Sequence, residues 1–137
     1  MTINPAHAPI TSRSTLTAFW QNVLGASRPQ GRSLWLAFHD ENGRVHKALT
    51  QIDGLALRPD ADAVANLALV VSSIAEESPD ITGALVLLER GGTSGASPFE
   101  ESWADALTAA LEGYLRWPVM VAAPDKLAEV PLWTSAA

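Results

Sequence analysis

Residues 81–89, I-T-G-A-L-V-L-L-E, constrain the fold of this chain more than any other stretch. A strand with one wet face alternates apolar and polar residues; this run is apolar almost throughout and ends at Glu89. That pattern fits a central β-strand covered on both faces. Such a strand needs neighbours in a sheet and helices packed against it, and the rest of the chain supplies both.

From Ser14, apolar residues fall at Leu16, Phe19, Trp20, Val23 and Leu24, an amphipathic helical stripe that stops at Gly25. R-P-D-A-D opens a second helix, with Asp60 or Asp62 as its cap, which runs to about Ala75. Val64, Leu67, Val71 and Ile74 share one side of it. Leu69 and Val70 widen that side, so this helix is expected to be largely buried. A third stripe comprises Phe99, Trp103, Leu107, Ala110, Leu111 and Tyr114, and Trp117-Pro118 stops it. Between the first two helices, S-L-W-L-A-F-H and R-V-H-K-A-L-T-Q-I flank D-E-N-G and read as a β-hairpin. Asn42-Gly43 is the preferred pair for a two-residue type I′ turn. V-M-V-A-A makes a last short strand, and D-K-L-A-E-V-P-L-W suits one helical turn or a sheet edge.

The order is therefore α-β-β-α-β-α-β. It predicts a single α/β (α+β) domain over 13–137, in two or three layers, with a mixed sheet of about four strands and three helices. Residues 1–12, with two prolines, read as a flexible arm.

Composition narrows the function. With 137 residues, 47% of them hydrophobic and 18% charged, the chain is globular. A formal charge of −6, with only 9 Lys and Arg and no basic run, argues against nucleic acid as a partner. The absence of Cys excludes disulfides, thiolate nucleophiles and Cys-based metal centres. No signal-peptide pattern opens the sequence, and the longest apolar stretch, Ala63 to Val71, is too short to cross a bilayer. The expectation is a cytoplasmic protein with no membrane partner.

The loop after Glu89, R-G-G-T-S-G-A-S-P, has the glycines of a phosphate cradle at a helix start. It lacks the Lys of a Walker loop and the Rossmann glycine spacing. Ser97 fits the N-cap, Pro98 the first helical position and Glu100 the partner of a capping box. Glu100 and Glu101 then put negative charge where phosphate would sit. The loop reads as a connection into a well-capped helix.

The N-G-R-V hairpin, the strand ending at Asp53-Gly54, the helix opened by R-P-D-A-D-A-V, and the strand feeding a Gly/Ser loop and a helix together resemble RadC-like domains of the JAB/MPN superfamily. The resemblance spans about Leu34 to Ala123. Active members carry a loop of the form H-x-H-P…S…D, whose histidines and aspartate hold zinc while an upstream Glu activates the metal-bound water. Aligned without gaps, the histidine positions fall on Leu88 and Arg90, the proline on Gly91, the aspartate on Glu101 and the upstream Glu near Leu49. The resemblance thus implies a degenerate member that lacks the metal ligands, since one carboxylate does not hold zinc.

Other candidates are sparse. A two-residue turn at 42–43 sets His39 opposite His46, with Cβ atoms ~5 Å apart, close enough to share a metal ion; surface histidines are the plainer reading. Ser94 and Ser97 lack a nucleophile elbow, and Asp53 beside Gly54 fits a turn. Glu89 and Arg90 stand at the strand end, where α/β sheets place their sites. They read as a pocket rim with Ser94 and Glu101, or as an ordinary ion pair. Among five tryptophans, Trp20 and Trp103 belong to the core, whereas Trp117 and Trp133, late and beside prolines, are candidate interface residues. No cofactor is called for. The expectation is a non-catalytic module working through a protein partner or self-association; the alternative is a small-ligand binder or hydrolase near Glu89, Arg90 and the loop 91–97.

Overall fold

The computed structural model describes residues 9–25, 31–91, 98–123 and 126–129. The apolar run forms β3 (Ile81–Glu89), which lies between β1 (Ser33–Asp40) and β4 (Met120–Ala123). Outside these, β2 (Val45–Asp53) and β5 (Lys126–Glu129) complete a five-stranded sheet in the order β2-β1-β3-β4-β5. β1 is antiparallel to both β2 and β3, β3 is parallel to β4, and β4 is antiparallel to β5. The mixed α/β order is as the sequence predicts. The tail resolves its two options in favour of an edge, with Lys126–Glu129 as β5.

Both faces of β3 are covered, by different helices. Ala84, Val86 and Leu88 join Leu34, Leu36 and Phe38 of β1 beneath α2 (Ala61–Glu77) and α3 (Pro98–Ala110). Leu85 and Leu87 turn the other way, with Ala37, Met120 and Ala122, under α1 (Arg13–Leu24). The result is three layers with the sheet in the middle. On the α1 side, Phe19 and Trp20 pack edge to face, with ring centroids 4.8 Å apart. Ser12 caps α1 through a capping box with Thr15. Ile10 is buried as well, and its amide donates to the Gly43 carbonyl at 2.7 Å. Of the arm expected over 1–12, then, residues 1–8 lie outside the described residues and Ile10 is held against the hairpin.

Two expectations change. The first is the turn. Gly43 has φ +82°, but among the described residues no non-glycine has positive φ, so Asn42 cannot take its place in a type I′ turn. Instead, the Gly43 amide donates to the Asp40 carbonyl at 3.1 Å and the Asp40 amide to the Arg44 carbonyl at 2.9 Å. This is a three-residue loop, a type I turn followed by a glycine bulge. The Asp40 carboxylate stabilises it by accepting from the amides of Asn42 and Arg44, each at 2.9 Å. Asp at the first position and Gly at the fourth are the signature of a type I turn.

The second is α2. Leu67 and Val71 are buried, but Leu69 is 64% and Val70 46% exposed. The sheet face is shared between α2 and α3, so α2 contributes one narrow stripe rather than a wide face. Among the described residues no helix is long and apolar enough to cross a membrane.

Candidate functional site

The C-terminal end of β3 is the place where the sequence puts a site, and its side chains are turned inward. Glu89 and Arg90 are consecutive, so the pleat sends them to opposite faces of the sheet. On the α1 side, Glu89 pairs across the strands with Ser33, and its carboxylate accepts the indole N–H of Trp35, the diagonal neighbour on β1. Ser33 in turn donates to Asp53 at 2.8 Å, so Asp53, Ser33 and Glu89 form one polar rung across β2, β1 and β3. Asp53 is the last residue of β2, directly before Gly54 (φ +72°), and its carboxylate is used across the strands by Ser33.

On the opposite side, Arg90 is 6% and Glu100 2% exposed. Arg90 Nε donates to both Glu100 oxygens, at 2.8 and 2.9 Å, tying the strand end to the first turn of α3. The Arg90 amide donates to the Ala122 carbonyl at 3.0 Å. Among the described residues, Glu89 and Arg90 therefore do not pair with each other. Each is bound to a different partner on a different face. Glu101 is half-buried and has an interaction of its own. Ser94 and the proposed cap Ser97 lie outside the described residues.

The loop after β2 roofs the α2–α3 side of this end. The Leu55 amide donates to the Arg32 carbonyl at 3.0 Å, and Arg32 Nε donates back to the Leu55 carbonyl at 2.9 Å. Trp103 Nε1 donates to the Ala56 carbonyl at 3.0 Å, so the indole of α3 locks the loop from beneath. Leu88 is fully buried in the same core.

The hairpin end differs from the expected metal pair. The bulged loop pairs His39 with Val45 rather than with His46. Between Ala37 and His39, two steps along β1 are matched by four along β2, which shifts the register. His39 is buried, its Nδ1 lies 2.9 Å from the Asp40 carbonyl, and its Nε2 has no hydrogen-bond partner among the described residues. The ring fills the space above Gly83, where any Cβ would collide with it. His46 is exposed and borders a shallow depression of ≈ 290 Å³ with Asp40, Arg44, Val45, Asp80 and Ile81. Arg44 and Asp80 had no signal in the sequence, since only the β1–β3 pairing brings Asp80 to the hairpin. Among the described residues, no group of three or more His, Asp or Glu is placed to hold a metal ion.

Of the two candidate interface tryptophans, Trp117 is half-buried, with one part packed against the core under α1. Trp133 lies outside the described residues. Compared with known proteins, the chain matches no family model, no curated protein and no solved structure.

Proposed function

We propose that this chain is a non-catalytic protein-interaction module. The observation that carries the reading is the internal commitment of the polar groups at the strand end. Glu89 holds Trp35 and Arg90 holds Glu100, so the side chains best placed for chemistry are engaged in holding the fold together. The RadC-like resemblance fits the same reading as a pseudoenzyme. On that alignment Leu88 and Arg90 stand at the histidine positions, one inside the core and the other bound to a carboxylate, and these residues do not suit zinc. Meanwhile, apolar side chains are displayed outside: Leu49 on the edge strand β2, Leu57 before α2, and Leu69 and Val70 on it.

Sedimentation velocity over a wide concentration range, combined with a peptide-display selection on the immobilised chain, tests the reading. Either a concentration-dependent oligomer or a set of enriched, mutually similar peptides is expected. A strict monomer that enriches nothing overturns it. Stabilisation by a small molecule that disappears in Arg90→Met points instead to a ligand pocket at Glu89, Arg90 and the loop 91–97.

A further inference from the structure

The outward side of α2 carries a pattern the fold does not use. Asp62, Leu69 and Glu76 are spaced seven residues apart. Seven residues are close to two helical turns, so the three line up on one side with ~10.5 Å between neighbours. All three are exposed, and they lie away from the side that buries Leu67 and Val71. Ala65 and Ser73, one turn to either side of Leu69, are small and exposed, and Val70 flanks them. The helix contains no Lys or Arg; its charges are Asp62, Glu76 and Glu77, with Asp60 as cap. Among the described residues, neither Asp62 nor Glu76 has an ion-pair partner. Arg58, two residues before the cap, is the adjoining cation in the sequence.

We propose that this acid–leucine–acid seam docks a helical segment of a partner protein, with an apolar centre and a Lys or Arg at the same heptad spacing on either side. The inference rests on the interaction-module reading and deepens it. Charge selects the occupant. A second copy laid antiparallel puts Asp62 against Glu76, and one laid parallel puts each acid against itself, so both orientations set like charges together. Anionic lipid and nucleic acid meet the same repulsion. A basic amphipathic helix places its apolar stripe on Leu69 and Val70 and its cations over the two carboxylates, which is a helix-to-helix contact read at heptad positions.

Fluorescence anisotropy tests this with the full chain and a labelled helical peptide of about 20 residues, Leu-centred, with Lys at the flanking heptad positions. Saturable binding that weakens as salt rises is expected. Leu69→Glu should weaken it about 10-fold or more. The double variant Asp62→Lys/Glu76→Lys should lose this peptide and gain its Glu-flanked counterpart. Because these side chains are exposed, Leu69→Glu should keep the wild-type unfolding midpoint and the double variant should still unfold cooperatively, with a small loss from the first-turn acid, which separates lost binding from lost fold. Binding that is absent, non-saturable or indifferent to Leu69→Glu overturns the proposal. So does a wild-type oligomer that Leu69→Glu dissolves, since the occupant would then be a second copy. Oligomerisation or peptide capture that survives Leu69→Glu removes this face while leaving the interaction-module reading intact.

Discussion

Gly43 and Gly54 share a left-handed backbone, with φ +82° and +72°, yet a methyl group would meet different surroundings at each. At Gly43 it collides with the Ile10 carbonyl, whereas at Gly54 nothing lies within 4 Å. Gly54→Ala should therefore cost only the left-handed penalty of about 1–2 kcal/mol. Gly43→Ala should cost clearly more, because Ile10 must also leave the hairpin. Urea unfolding of both variants checks the order, and equal losses would show that the Ile10 contact contributes nothing. The Arg90–Glu100 pair is the other test at this scale. Removing either partner alone takes the bidentate ion pair from a buried charge, so Arg90→Met or Glu100→Leu should cost about 3–5 kcal/mol. The double variant should recover most of that loss, and a double-mutant cycle reads the difference. The pairing was not legible in the sequence. Arg90 and Glu100 are separated by the loop 91–97, and the acidic first turn of α3 is explained equally well by helix capping.

At the scale of elements, α2 shows how far periodicity reaches. Its stripe of Val64, Leu67, Val71 and Ile74 faces the core as the spacing predicts. Leu69 and Val70 do not, because hydrophobic residues inside is a one-way rule, and a helix sharing a sheet face with α3 has no second surface to bury. Leu67→Ala should cost about 2–5 kcal/mol, while Leu69→Ala should leave the thermal midpoint near wild type. A large loss at Leu69 would mean that α2 packs the other way round. β3 carries a similar point in reverse. Gly83 looks like a weak link in a strand, but it makes room for the His39 ring and sits close to the Tyr114 carbonyl, 2.8 Å from a built Cβ. The cross-strand neighbour, not the strand's own sequence, requires glycine there.

For the whole molecule, the sheet has two unlike faces. α2 and α3 cover one, whereas among the described helices α1 is the one that covers Leu85, Leu87, Met120 and Ala122 on the other. A chain lacking residues 1–25 should expose that second face, bind a hydrophobic dye such as ANS, and lose its cooperative unfolding transition. A truncated chain that unfolds cooperatively without dye binding would show that α1 is dispensable. The two edge strands, β2 and β5, leave backbone groups at both sides of the sheet, and open edges are where chains pair with other chains. That feature belongs to the assembled sheet and to no single strand.

The sequence by itself determined the elements and the core. The unbroken run 81–89 demanded a strand buried on both faces, and the three helical stripes supplied its covers, because periodicity and apolar area act locally along the chain. The hairpin was legible too, although D-E-N-G was read from its last two residues rather than from the Asp-to-Gly span that sets the type I turn. That one shift in register moved His39 away from His46. Tertiary structure alone decided which partners the polar side chains took. Glu89 met Trp35, Arg90 met Glu100, and Asp80 came to His46 across two strand pairings. These choices depend on which face each residue presents and on what other element arrives there, and sequence distance carries no record of either.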